Sequence, residues 1–169
     1  PYPLPRQYFR PEMAVRNYAE HLDAWVLMEE LGFDGIGFNE HHTSPYGLMT
    51  SPNLMAAAAS QRTHRMKLLI YGNLLPIHNP LRLAKTAATL DVLSGGRLML
   101  GVGVGAVAPE SEAMGSPYAE RGAITDEAIA VMKALWTQED PSFAGKYARC
   151  SGMPFAPKPV QQPYIPILI

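Results

Sequence analysis

The sequence predicts an α/β fold made of repeated strand-helix units, a (β/α)8 barrel of which the chain supplies roughly the first half. Short β-forming runs alternate with stretches of helical periodicity, which implies a parallel sheet. Strand starts near 34, 66 and 97 lie 32 and 31 residues apart, close to the roughly 31 residues per unit of an eight-fold barrel of about 250 residues. A third observation argues against an open, doubly wound sheet. Gly101, Gly103 and Ala106 satisfy a loose G-x-G-x-x-A pattern, but a dinucleotide fingerprint opens a helix at once and meets an acidic strand end about 20 residues on. Here Ala108-Pro109 follows, and the stretch near 120–136 has helical spacing.

Each element follows from local chemistry. Val15, Tyr18, Leu22, Trp25 and Met28 step by three or four, which stacks them on one face of a helix at about 13–31, with Gly32 as its stop. Residues 34–39 are short, Gly-rich and β-forming, so they read as a buried strand, and a polar loop starts at Glu40. Ser51-Pro52 offers an N-cap and a first-turn proline to a helix through Ala56 to Ala59, and 66–72 is the next strand. Asn79-Pro80 then caps a helix carrying Leu83, Ala87, Leu90 and Leu93, ended by Ser94-Gly95-Gly96 before a strand at 97–103. Ile124, Ala128, Val131 and Leu135 mark a fourth helix. A Pro-rich excursion at 138–163, expected to hold a short hairpin or ordered loop, leads to a strand at 165–169. One domain over 1–169 is expected. Because the chain opens at Pro1 and stops inside an apolar run, the sequence reads as part of a longer polypeptide.

Composition narrows the function classes. Of 169 residues, 47% are hydrophobic and 17% charged, and the 14 Gly and 16 Pro stay below a low-complexity share, so the chain can bury a core. The formal net charge is −1 and neither sign forms a block, which lacks the footprint of a nucleic-acid binder and points to small molecules or other subunits as partners. Cys150 is the single cysteine. It cannot form an internal disulfide and suits a reducing compartment, with the cytoplasm as the expected one. No apolar run reaches the roughly 18 residues that span a bilayer, and the start lacks a signal-peptide pattern.

In a parallel barrel the active site forms from the loops after the carboxyl ends of the strands. Those ends are Asn39-Glu40-His41-His42, Gly72-Asn73 with Pro76-Ile77-His78, and Gly103-Val104-Gly105. A carboxylate beside two imidazoles suits proton transfer near neutral pH or metal ligation. Glu40, His41 and His78 sit in two loops with no evident fourth ligand, so no metal site is predicted. As neighbours, His41 and His42 cannot both point inward if strand alternation persists, which leaves one of them structural. Gly72 lets the backbone approach a flat ligand and Asn73 offers an amide, although the pair also suits an ordinary turn. Gly101, Gly103 and Gly105 can seat a ring or phosphate, or serve bulges and barrel packing. Lys85 and Arg97 read as solvated faces or helix-end partners, and Cys150 has no His neighbour to activate it.

Four stretches together resemble the bacterial luciferase-like, flavin-dependent monooxygenases. They are Leu31-Gly32-Phe33-Asp34 leading to Asn39-Glu40-His41-His42; Gly72-Asn73 to Pro76 with His78-Asn79-Pro80; Ala87 to Asp91 with Leu93 to Arg97; and Leu100 to Gly105. The run from Pro157 to Pro163 looks like the family's lead-in to its fifth barrel strand. The resemblance covers nearly the whole chain. It implies a TIM-like barrel that binds reduced flavin mononucleotide (FMN) and uses it with dioxygen to oxygenate a small organic substrate, the protein holding the ring, shielding the reaction from water and placing the substrate. It implies His41 as the catalytic, proton-handling residue and Glu40, Gly72, Asn73, Gly103, Val104 and Gly105 as cofactor-binding residues, with a non-proline cis peptide at Gly72-Asn73. Some members hold the flavin phosphate with an Arg where this chain has Val104 between two glycines, which leaves that role to backbone groups or to residues beyond Ile169.

The resemblance further implies a separate flavin reductase as partner and a homodimer formed through the first-half helices, where Leu54, Met55 and the alanine run are apolar. A deazaflavin-dependent branch of the family transfers hydride without oxygen and is the alternative cofactor reading. Two other readings stand beside these. A luciferase-like protein that binds flavin without turnover would show no substrate-dependent oxygen consumption, and a metal-dependent barrel hydrolase would need the missing ligand.

Overall fold

The computed structural model describes residues 9–42 and 48–169; the Pro-rich start at 1–8 and residues 43–47 of the loop after Glu40 lie outside them. Helix α1 (Pro11–Glu30) starts with proline at its first position, where a fixed φ and a missing N–H are no handicap. Strand β1 (Gly35–Phe38), helix α2 (Pro52–Ser60), strand β2 (Lys67–Leu74), helix α3 (Pro80–Leu93) and strand β3 (Leu98–Gly103) follow in alternation. Beyond β3 come α4 (Ala108–Ala113), α5 (Arg121–Thr137), an antiparallel hairpin of β4 (Phe143–Ala144) and β5 (Arg149–Cys150), and β6 (Ile167–Leu168).

Strands β1, β2, β3 and β6 pair in parallel in that order, with no reversal along the sheet. Ile36, Phe38, Leu68, Ile70, Leu98 and Leu100 are buried, in one core with Trp25 of α1, Ala56 of α2, Ala87 of α3 and Leu135 of α5. Trp25 meets Phe38 edge-on at 5.0 Å between ring centroids. The alternate positions Gly37 and Tyr71 are exposed. One face covered by helices and one left to the inside is the pattern of a barrel wall, whereas a doubly wound sheet buries both faces. The fold is α/β with a parallel sheet, a partial barrel, as the repeat spacing predicts.

The wall has one irregularity. Ile70 pairs with Leu100 and Asn73 with Val102, so two β2 residues oppose Gly101, a bulge that lets β2 continue to Leu74, past its expected end at 72. A Cβ on Gly101 would lie 2.4 Å from the Ile70 carbonyl oxygen, and one on Gly72 would lie 3.0 Å from the Gly101 carbonyl. Both glycines are thus required by the close approach of two strands. The Tyr71–Gly72 peptide is cis, one bond before the place that the resemblance implies.

Some local expectations hold and others are corrected. Asn79 caps α3 through Oδ1, which accepts from the Leu81 and Arg82 amides at 3.1 Å each. Ser51 precedes α2 but makes no side-chain cap bond. Lys85 is exposed, whereas Arg97 is buried at the amino ends of the strands. Its guanidinium donates to the carbonyls of Ser60, Thr63, Met66 and Ser94 and to the Thr63 hydroxyl. Glu29 lies on the same floor and accepts from the amides of His64, Arg65 and Met66 at 2.6, 2.9 and 2.8 Å. Asp91 of α3 accepts from the Val160 and Gln161 amides and the Gln161 side chain, which fixes the lead-in to β6. Among the described residues no helix is long and apolar enough to cross a membrane.

Candidate active site

Glu40 follows β1 at its carboxyl end, and its side chain is fully buried. A buried carboxylate needs donors for its oxygens, and the loops after β1 and β2 supply them. Oε1 is 2.7 Å from His42 Nε2 and 2.7 Å from His78 Nε2. Oε2 accepts from Asn73 Nδ2 at 2.7 Å and from the Leu74 amide at 3.2 Å. The bulge in β2 makes this possible, because it brings Asn73 and Leu74 back into register beside β3 with the Asn73 side chain inside the wall. Burial pushes the Glu40 carboxyl up, but the hydrogen bonds from His78, Asn73 and His42 and the His78 charge outweigh it, so its pKa lies below the usual carboxylate value.

The cluster therefore joins four of the strand-end residues singled out in sequence, Glu40, His42, Asn73 and His78, the last 38 residues beyond Glu40. His42 is nearly enclosed, its side chain 12% exposed, whereas that of His78 is 30% exposed. Two outer grooves meet at His78, one passing Ser116 and Tyr147 and the other Arg82 and Thr86. His41 is half-buried and its amide donates to the Met49 carbonyl at 2.9 Å, which ties the loop after β1 to the start of α2. Among the described residues no group of three or more His, Cys, Asp or Glu is arranged to hold a metal ion.

Gly103, Val104 and Gly105 run out of β3 at the same end of the sheet. Val104 is exposed and Gly105 has φ +74°, a left-handed conformation that suits glycine. Two observations fit a flat, hydrogen-bonding group at this mouth. Asn73 Oδ1 is a buried acceptor with no partner, and bare backbone at Gly37 and Gly105 leaves Cβ positions with nothing nearer than 4.0 and 3.9 Å. Gly72, expected here as a point of ligand approach, also packs against the Gly101 backbone, where a Cβ would lie 3.0 Å from the carbonyl. The sequence groups His78 with Glu40 only as a possible metal ligand; the hydrogen bond between them is what the structure adds.

Comparison with known proteins bears on the family of this chain. The chain is 32% identical to the monooxygenase RslO1 of Streptomyces bottropensis, with a TM-score of 0.85 over 89% of this chain and 46% of that one. It is 26% identical to the oxygenating constituent of 3,6-diketocamphane monooxygenase of Pseudomonas putida, solved in complex with FMN, with a TM-score of 0.75 over 82% of this chain and 39% of that one. It is also 34% identical, over 89% of its length and 47% of the relative's, to an F420-dependent glucose-6-phosphate dehydrogenase of Intrasporangium calvum. The chain thus spans under half the length of each of these relatives. With the luciferase-like monooxygenase profile matching residues 5–169 on top of this wall and this mouth, the chain belongs to that family.

Proposed function

We propose that the protein is a flavin-dependent monooxygenase that uses reduced FMN and dioxygen to oxygenate a small organic substrate. The observation that carries this reading is the buried Glu40 cluster, set at the strand ends beside the open backbone of Gly103 to Gly105 in a chain of this family. Reduced flavin, when bound, supplies the electrons and the reaction with dioxygen. Gly72, Asn73, Gly103, Val104 and Gly105 would hold it, with the unpartnered Asn73 oxygen as an acceptor and Glu40 supporting the wall behind. His41 is the proton-handling residue in this reading. His41→Ala in the full-length protein is expected to slow product formation by about 10²-fold, the lower end of what acid-base groups contribute, with the melting temperature unchanged. Unchanged rate and coupling would remove His41 from the mechanism.

A second reading, hydride transfer with a deazaflavin, is favoured by the similarity to the F420-dependent dehydrogenase. Anaerobic titration with reduced FMN and with a reduced deazaflavin, followed by an oxygen pulse with stopped-flow absorbance, separates the two. Binding of reduced FMN with an oxygen-dependent transient supports the oxygenase. Preference for the deazaflavin with no response to oxygen moves the protein to the other branch, and tight flavin binding without substrate-dependent oxygen consumption makes it a binding protein. A separate reductase supplies the reduced flavin in the first reading. The protein is a homodimer in both, joined through α2 and α3, where Leu54, Val92 and Leu93 are 71%, 47% and 50% exposed. Light-scattering mass over a range of concentrations checks this, and a monomer throughout refutes it.

A further inference from the structure

We propose that Glu40 is the positioning residue of this site: one carboxylate oxygen, shared by His42 and His78, holds both imidazoles as Nε2–H donors and leaves their Nδ1 atoms as the proton-exchanging positions. The proposal rests on the flavin-enzyme reading for its catalytic consequence, but its structural content does not depend on a bound cofactor. It adds His42 and His78 to the groups that handle protons here and gives Glu40 a task other than touching the cofactor.

The argument is a count of donors and acceptors. Oε1 has two nitrogens at 2.7 Å, and Oε2 has the Asn73 amide and the Leu74 N–H. An ionised carboxylate accepts at every one of these positions and donates at none. Two imidazole nitrogens facing one anionic oxygen must each carry a proton, because a lone pair turned to that oxygen would be repelled. In a neutral imidazole a proton on Nε2 leaves Nδ1 bare, so the carboxylate selects the tautomer of both rings at once. The depressed pKa of Glu40 keeps it in the form that makes this selection. The two rings come from different loops and differ in exposure, so one fixed charge orients both a nearly enclosed imidazole and one open to the outer grooves.

Glu40→Gln is the test, because an amide cannot reproduce four acceptor positions. The Leu74 N–H cannot turn, so the Gln oxygen stays with it and the NH2 group faces the two imidazoles. At least one ring must then accept through Nε2 and move its proton to Nδ1. The experiment is nitrogen-15 NMR of the full-length protein with labelled histidine at alkaline pH, the two signals assigned by their loss in His42→Gln and His78→Gln. The wild type is expected to show both rings protonated on Nε2, and Glu40→Gln to show at least one protonated on Nδ1. Turnover at saturating flavin should fall about 10²-fold in Glu40→Gln, with the flavin dissociation constant changed less than about threefold. A wild-type spectrum with either ring protonated on Nδ1 overturns the proposal, and it needs no variant to fold. Unchanged tautomers in Glu40→Gln also overturn it, as does a loss confined to flavin affinity, which would make Glu40 a cofactor ligand. If the wild type binds no flavin, the functional reading fails while the tautomer result still decides this one.

Discussion

At the floor of the sheet Glu29 accepts from three backbone amides and Arg97 donates to four backbone carbonyls, whereas at the mouth Glu40 accepts from two imidazoles, one amide side chain and a single backbone N–H. Both ends bury charge, and in both every oxygen of the carboxylate is satisfied. The difference lies in what satisfies it. Backbone groups do not titrate, so the floor is a fixed joint between α1, the end of α2 and β3. At the mouth the partners are mainly side chains, and an imidazole nitrogen can donate or accept, so this end carries groups suited to chemistry. The division matches the general rule for barrels, in which the amino-end face serves stability and the carboxyl-end face serves chemistry.

The floor is where a single change should do most damage. Arg97→Ala strands four buried carbonyls and the Thr63 hydroxyl, and is expected to cost about 3 kcal/mol or more, the scale for breaking a buried hydrogen-bond network. Urea denaturation measures it, and a loss below about 1 kcal/mol would erase the contrast with the mouth. The wall between the two ends gives a matched pair. Gly101→Ala drives a methyl into the Ile70 carbonyl and should cost about 1–3 kcal/mol, while Gly37→Ala meets only open space and should stay within about 0.5 kcal/mol.

Acid tests both ends together. Burial raises the Glu29 pKa, but its three amide donors outweigh that and pull it from 4.5 to about 2; Glu40 is lowered in the same sense. A carboxylate with a depressed folded pKa stabilises fully above its unfolded value and loses that contribution as pH falls through the folded one. Thermal midpoints should therefore hold from neutrality to about pH 5 and fall between about pH 4.5 and pH 2. Glu29→Gln should flatten that fall more than Glu40→Gln does, if the floor is the mainly structural joint. The smallest effect compares two helix starts at the mouth. Asn79→Ala removes both cap bonds of α3 and should cost about 1 kcal/mol, whereas Ser51→Ala removes no cap bond and should stay within about 0.5 kcal/mol.

Repeat spacing, helical steps and glycine stops made the ladder of β1, α2, β2, α3 and β3 legible, because each is a local pattern. Gly32, Gly95 and Gly96 do sit at positive φ where the helices end. Helix α4 was not foreseen, since Pro109 reads as a break although proline fits a first turn. The Glu-His-His run was visible as chemistry, but its pairing was not. His78 reaches Glu40 only because β2 bulges and a short 3-10 turn, Leu75–Ile77, sets the loop. Of the two readings of Arg97, a solvated face or a helix-end partner, the structure takes the second, since it donates to the carbonyls of Ser60 and Ser94 at the ends of α2 and α3. Its burial is not legible locally, because three of its four carbonyls, those of Ser60, Thr63 and Met66, come from a segment more than 30 residues away.

The Asp91 clasp carries a consequence for the order in which the chain assembles. Its partners Val160 and Gln161 lie 69 and 70 residues away, while β1 and β2 pair across about half that distance. Closing the longer span costs more chain entropy, and the clasp has nothing to grip until α3 is formed and packed. Hydrogen exchange during refolding should therefore protect the Lys67 and Leu68 amides, which donate to the Asp34 and Arg97 carbonyls, before those of Val160 and Gln161, so that the fourth strand of the wall is set in place last.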